Sequence, residues 1–283
     1  MFCYSDGVEA ERFVYPPYDA ALLEAYGGRF ESVFVLLHPF VCVPEGLAWK
    51  VTRQYPSDAQ ILRVGEKCSW ATVAERTGVR ECWRLSQALL TASGSIADEL
   101  CDYGAAEAVK NFVTSEAVWM PGAGAFEPLL QADFLSVFEA AGHRELIFVP
   151  EFPHADPVQR LDVSRLRSGE VAFPERGSLV APDESFLLTV DWDSFFTLFY
   201  GPRDFVGQVV RRCRLEGFFA EPTTEHFWFN YSLGCCVVTM APDGWSVALG
   251  LMLGCGIPPW TQRLSRVEGG APGGCGMEGW AGG

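Results

Sequence analysis

Hydrophobic positions along this chain follow two rhythms. Between residues 57 and 112 they recur every three to four places, the spacing of helices with one buried face. "SDAQILRVG" opens on Ser57 with Gln60 three places on, a capping box, and stops at Gly65. "SWATVAERTG" opens on Ser69 and stops at Gly78. In "RECWRLSQALLTASG", Cys82, Leu85, Leu89 and Ala92 share a face. "SIADELCDYGAAEAVKNF" continues the helical pattern, although Gly104 inside it costs about 1 kcal/mol relative to alanine. Elsewhere short apolar runs predict strands. "SVFVLLHPFVCVP" (32–44) reads as a strand, a kink at Pro39 and more extended chain, following a short helix and an irregular arm in residues 1–30. "EAVWM" (116–120), "FEPLLQADFLSVFEAAG" and "ELIFVP" (145–150) give a β-α-β pattern. Its helix buries Leu130, Phe134, Val137, Phe138 and Ala141, has Pro128 near its start and stops at Gly142.

Residues 151–183 are polar and hold Pro153, Pro157, Pro174 and Pro182, which predicts a long surface connection and a soft boundary. From 184 the pattern is β-β-α-β-β. "SFLLTV" and "SFFTLFY" flank "DWD", and "PRDFVGQVVRRCR" is a helix with Pro202 in its first turn. Arg211, Arg212 and Arg214 fall in its last turn, where cations offset the helix dipole. "GFF", "HFWFNYS" and "CCVVTM" (235–240) supply further strand material. The expected fold class is α+β (mixed α/β). A helical region leads into the β-α-β unit and then an aromatic-rich antiparallel β-β-α-β-β unit. Residues 1–245 read as one globular domain and 246–283 as a Gly-rich flexible tail.

Composition narrows the function classes. With 283 residues, 49% apolar and 13% aromatic, the chain can bury a large core. The formal net charge of −15 repels nucleic-acid phosphate and anionic lipid and attracts basic partners. The only short basic run is "RRCR" at 211–214. Ten cysteines include no CxxC pair and no zinc-module spacing, so they read as reduced thiols, many of them buried. The start "MFCYSDGVEAERF" is no secretory leader, and "WSVALGLMLGCGIPPW" (245–260) is too short for an ordinary span. These features predict a cytoplasmic protein that engages neither membrane nor nucleic acid.

Candidate chemistry starts at Asp191 and Asp193. An Asp-x-Asp after an apolar strand suits Mg²⁺ or Mn²⁺ when a diphosphate supplies the remaining ligands, and on a strand both acids share a face. The competing reading makes "DWDS" a solvated hairpin turn. Glu225 and His226 in "TTEHFWFN" form a second candidate, as acid, base or ligand if the terminal strands bring His226 to Asp191 or Asp193. Otherwise they are a capping pair at a strand start, with Trp228 and Phe229 as core. "PGAGAF" (121–126) lies between a strand and a helix but lacks Lys and Ser/Thr, and Glu127 follows it where an anion would sit, so it reads as a tight loop. Cys235 and Cys236 read as buried strand residues, His38 as a satisfied core or loop histidine, His143 as a helix-end residue and His154 as part of the polar loop. No cofactor follows from any motif.

The run "LLTVDWDSFFTLFYGPRDFV…LEGFFAEPTTEHFWFNYSLGCC" (187–236), with "LLHPFVCVPEG" and "YPSDAQIL", resembles a family of uncharacterised bacterial proteins, one of the domains of unknown function, over roughly residues 20–245. The resemblance implies no activity, cofactor or catalytic residue. The β-β-α-β-β layout and the acidity also look like small bacterial immunity proteins that neutralise basic toxins. Two functions follow as expectations. One is a non-enzymatic acidic binding protein with a basic protein as partner. The other is a metal-assisted enzyme acting on a phosphorylated or nucleotide-linked substrate through Asp191 and Asp193, with His226 as helper.

Overall fold

The computed structural model describes residues 10–18, 20–43, 55–153, 155–228, 237–241 and 244–248. Short 3-10 turns at Ala10–Phe13 and Leu22–Glu24 precede β1 (Ser32–Leu37) and β2 (Phe40–Cys42). Then come α1 (Asp58–Val64), β3 (Glu66–Cys68), α2 (Trp70–Thr77), α3 (Cys82–Ser93), α4 (Tyr103–Glu116) and β4 (Val118–Trp119). A 3-10 turn at Pro128–Leu130 leads into α5 (Gln131–Ala140), followed by β5 (Glu145–Pro150), β6 (Gln159–Asp162), α6 (Val163–Arg167) and β7 (Gly177–Val180). The order closes with β8 (Leu187–Val190), β9 (Phe196–Gly201), α7 (Arg203–Cys213), β10 (Gly217–Phe219), β11 (Val237–Ala241) and β12 (Gly244–Ala248).

Local chemistry sets the helix ends. Ser57 and Gln60 form the capping box of α1, and the Ser69 hydroxyl accepts from the Thr72 amide to start α2. Gly78 and Gly94 end α2 and α3 in the left-handed conformation that glycine adopts without a Cβ penalty. Glu216, just before β10, accepts from the amides of Trp70 (2.7 Å) and Ala71 (2.9 Å), so a residue entering the sheet caps the N-terminus of α2.

Seven strands form one sheet in the order β10-β1-β9-β8-β7-β5-β6, and every pairing in it is antiparallel. Helices cover both faces, so the central strands read as continuous apolar runs. In β1, Val33, Val35 and Leu37 join a core with Trp70, Leu85, Leu89, Val109, Leu198 and Tyr200. Phe34 and Leu36 point the other way, into a core with Phe134, Phe138, Leu188, Phe199 and Val209. Each fully buried Phe or Leu contributes about 1.5–3 kcal/mol of transfer free energy. A smaller sheet, β3-β2-β4, extends from the first core, and β11 pairs with β12.

The α+β class stands, but several segments differ from expectation. β4 and β5, which flank α5, lie in different sheets, so the β-α-β pattern makes no parallel unit. The helical run 57–112 contains β3, too short and charged to announce itself, and breaks again at a 3-10 turn, Asp98–Leu100, before α4. Asp102 caps α4, which places Gly104 in its first turn rather than its interior. Ala141 is exposed rather than on the buried face of α5. The Pro-rich stretch 151–183 carries β6, α6 and β7, and β7 lies between β8 and β5 within the main sheet. "HFWFNYS" starts as a turn rather than a strand: Glu225 makes one isolated bridge to Ala21, and Trp228 is core. Phe229, Cys235, Cys236, His154 and residues 249–283 of the predicted tail lie outside the described residues. No helix among the described residues is long and apolar enough to cross a membrane.

Candidate functional site

Pairing register brings one set of strand ends together. Leu37 at the end of β1 faces Phe196 at the start of β9, and Gly177 at the start of β7 faces both Pro150 and Val190. Beyond these residues lie His38, Asp191 to Ser194, Arg176 and Glu151, all at one end of the sheet. The chain turns there: the Ser194 amide donates to the Asp191 carbonyl at 3.2 Å, and the Ser194 hydroxyl donates to the same carbonyl at 3.0 Å. "DWDS" is thus a hairpin turn, but not a solvated one. Asp191 is 6% exposed, whereas Trp192 is 52% exposed.

Asp191 follows the face of Leu187 and Thr189 and meets two distant elements. The Tyr18 hydroxyl donates to Asp191 Oδ2 at 2.9 Å, and Trp192 Nε1–H donates to the Tyr18 oxygen at 3.2 Å. His226, 4% exposed, has Nε2 3.8 Å from Asp191 Oδ2 and Nδ1 2.8 Å from the Tyr15 hydroxyl. The Tyr18 ring covers the imidazole at a centroid distance of 4.4 Å. Burial lowers the His226 pKa to about 3 and pushes Asp191 up, against the pull of the Tyr18 hydroxyl and the Trp192 and Asp193 amides. The pair is therefore a neutral imidazole beside a carboxyl group and not an ion pair. With Nε2–H turned to the carboxyl oxygen, Nδ1 is the acceptor for Tyr15.

Burial raises the pKa of Asp193, and the charge of Arg176 opposes the rise. Asp193 in turn helps to raise Asp191 and Tyr18, so the two acids stay within electrostatic reach of each other. Glu225 is half-buried, and its backbone, not its carboxylate, is what ties it to Ala21. Among the described residues no three His, Cys, Asp or Glu side chains are placed to hold a metal ion.

The loop "PGAGAF" locks this turn from the other side. The Gly124 amide donates to the Ser194 carbonyl at 2.9 Å, and Arg176 Nε donates to the Gly124 carbonyl. Gly124 has φ +73°, and a Cβ there would lie 1.8 Å from the Trp192 carbonyl oxygen, so only glycine fits. Next to this contact are two buried groups with unmet hydrogen-bonding capacity. His38 Nε2 bonds Thr197 Oγ1 at 2.9 Å, but its Nδ1 has no partner, and burial lowers its pKa to about 3. Glu127 is 1% exposed, and burial raises its pKa to about 7 against the pull of the Leu129 and Gly122 amides, neither of which reaches its oxygens in good hydrogen-bond geometry.

Sequence reasoning singled out Asp191, Asp193, Glu225 and His226, and the fold brings Asp191 and His226 together. It missed Tyr15, Tyr18, Trp192 and the burial of Glu127. Tyr15 and Tyr18 carry no signal beyond "YPPY", because their partners lie more than 170 residues away. Trp192 could have been found, since a large aromatic between two acids in a turn has little core to enter.

Known proteins place the chain in a family without adding chemistry. It is 22% identical over 225 residues to "Uncharacterized protein YwbB" of Bacillus subtilis (strain 168), covering 75% of this chain and 96% of that protein. No solved structure matches. The family model described as "Protein of unknown function (DUF2711)" matches residues 18–230, from Tyr18 through the Asp191 turn and past His226, and the chain belongs to that family.

Proposed function

We propose that the protein is a non-enzymatic interaction protein that binds a basic protein through the sheet end carrying Trp192 and Tyr18. The observation that carries this reading is the preorganisation of two exposed aromatics. Trp192 is 52% and Tyr18 40% exposed, and a hydrogen-bond chain runs from the indole through the phenol to buried Asp191. Tyr and Trp held rigidly at a surface lose little entropy on binding and dominate interface energies. Asp193, Glu151, Glu175 and exposed Asp156 outnumber Arg176, which pairs with Glu151, on the same end, and the net charge of −15 favours encounter with a cationic surface. An acidic protein that masks a basic one, in the manner of an immunity protein, fits these features.

The test is affinity capture from the native host at two salt concentrations, followed by titration with the purified partner. One stoichiometric basic protein is expected, with affinity falling at high salt. Trp192→Ala should weaken it at least 30-fold, since central aromatic anchors contribute about 2 kcal/mol or more. Recovery of no partner, or equal affinity for Trp192→Ala, removes the reading. The metal-assisted alternative draws less support, because the Tyr18 hydroxyl occupies Asp191 and, among the described residues, no three His, Cys, Asp or Glu side chains are placed to hold a metal ion. A thermal shift with Mn²⁺ that Asp191→Ala abolishes would restore it.

A further inference from the structure

The fold gives the Glu127 carboxylate only weak support. It is 1% exposed, the Leu129 and Gly122 amides approach its oxygens without forming hydrogen bonds of good geometry, and it does not cap the Pro128–Leu130 turn it precedes. Leaving a buried carboxylate unpaired is strongly destabilising, and glutamine would occupy the same space without the charge. The surroundings select for positive charge. Asp58, exposed at the start of α1, adds a second negative charge beside Glu127, and Glu175 lies near Asp58 in turn. Lys67 on β3 is the opposing cation, but Asp133 already pairs with it. Tyr55 covers the Gly122 backbone that Glu127 also approaches: a Cβ at Gly122 would lie 3.5 Å from the Tyr55 hydroxyl. The Tyr55 ring is 42% exposed and stands edge-on to Trp119 at 5.8 Å. On the inner side, fully buried His38 approaches the same Gly122 backbone with its Nδ1 unpartnered.

We propose that Glu127 is the floor of a binding site for a positively charged organic group, a guanidinium or primary ammonium, that enters past Tyr55 and Asp58. Two carboxylate oxygens match the paired N–H groups of a guanidinium, and an aromatic wall favours a cation over its electron-rich face. An outer carboxylate raises the local concentration of cations before the inner one binds them. A water molecule could satisfy the hydrogen bonds but would leave the charge uncompensated. This inference rests on the interaction reading above: the group is an arginine or lysine side chain of the basic partner.

The probes are acetyl-arginine-amide, acetyl-lysine-amide, free arginine, and acetyl-citrulline-amide, which keeps the shape of arginine without its charge. Binding is followed by calorimetry and by the Tyr and Trp fluorescence of the full chain. The arginine or lysine amide should bind saturably and at least 10-fold more tightly than the citrulline amide. Glu127→Gln should cost at least 10-fold, the exposed variant Asp58→Asn two- to five-fold, and Trp192→Ala nothing. Equal binding of arginine and citrulline amides, or unchanged affinity in Glu127→Gln, overturns the site and leaves Glu127 as a residue that holds buried water. Free arginine binding more tightly than its amide would overturn the partner side chain in favour of a small-molecule amine. If the probes bind but no basic protein is captured, the cation site stands and the interaction reading falls. If a basic protein binds Glu127→Gln as tightly as the parent chain, the interaction reading stands and the cation site falls.

Discussion

The two ends of the seven-stranded sheet treat polar groups in opposite ways. At the end carrying Glu184, polar side chains pair at the surface: Arg29 with Glu184 at 2.6 Å, and His143 with Asp183 at 3.3 Å. The amide of Arg203 donates to Glu31, and Asp183 receives the amide and hydroxyl of Ser185. These turn groups all have partners, although the buried hydroxyl of Tyr200, toward this end of β9, has none. At the other end His38, Glu127, Asp191 and His226 are buried, and His38 Nδ1 and both Glu127 oxygens make no hydrogen bond of good geometry. Burial of polar groups without full pairing is costly, and natural proteins concentrate such violations where something is bound or done. The contrast supports the proposal that a ligand is taken at the Asp191 end.

The largest test of that contrast uses one substitution at each end. Gly124→Ala drives a methyl group into the Trp192 carbonyl, 1.8 Å from the new carbon, and should cost about 3–5 kcal/mol in denaturant unfolding. Gly142 at the end of α5 has φ +82° with open space around it, so Gly142→Ala should cost only about 1 kcal/mol. Equal losses would mean that the loop and the Trp192 turn are not locked together. The Gly124 variant should also lose partner binding in proportion to its folded fraction or beyond it.

The next effect depends on pH. Glu127 has a folded pKa raised to about 7 from 4.5, so the folded state holds its proton more tightly. Its contribution is complete below pH 4.5 and is lost as pH rises to 7. Glu127→Gln removes that loss and should be more stable than the parent by up to about 3 kcal/mol at pH 8, with the gain vanishing near pH 4.5. His38 and His226 act in the other sense. Their folded values near 3 lie below the ordinary 6.5, so their contribution is complete above pH 6.5 and lost as pH falls toward 3. Because two imidazoles outweigh one carboxyl group, their combined contribution to the parent's stability should peak at about pH 7, and neither imidazole should titrate in NMR spectra of the folded chain between pH 8 and 4.5. A titrating His226 would contradict the burial that Tyr18 and Tyr15 impose.

Much of the scaffold was legible because its signals are local. Ser57 with Gln60, Ser69 with Gly78, and the kink at Pro39 each act within a few residues, and each lies where the sequence pattern predicts. β3 was not legible: three residues, two of them charged, become a strand only because Phe40 to Cys42 offer an edge to pair with. β7 was hidden among prolines, and its place next to β8 is decided by a hairpin that "PDES" turns. The site was half legible. Asp191 and His226 are 35 residues apart and could be suspected as a pair, but the tyrosines that bury them come from the start of the chain. Glu127 looked like a helix-end charge until packing of the loop and Tyr55 enclosed it.

Tyr15→Phe probes the smaller polar contacts at the Asp191 end. It removes the hydroxyl that satisfies His226 Nδ1 and leaves that nitrogen buried and unpaired. A loss of about 1–2 kcal/mol is expected in thermal or denaturant unfolding. A neutral result would mean that water replaces the hydroxyl and that the cluster is open.

The smallest effect compares hydrogen-bonded pairs by double-mutant cycles, one at each end of the sheet. At the surface end, Arg29→Gln with Glu184→Gln removes an ion pair that both water and salt reach. Its coupling should fall below about 1 kcal/mol and shrink further in 0.5 M salt, because exposed charges are screened beyond a few ångströms. At the Asp191 end, Tyr18→Phe with Asp191→Asn removes a bond between a phenol and a buried carboxyl. That coupling should reach about 1–2 kcal/mol and change little with salt, since the low surrounding polarity leaves nothing to screen it. If the order is reversed, or if salt weakens the Tyr18–Asp191 coupling as it does the surface pair, then the Asp191 turn is open to solvent. Trp192 would then no longer be held by a buried anchor, and both the recognition face and its difference from the opposite end would have to be abandoned.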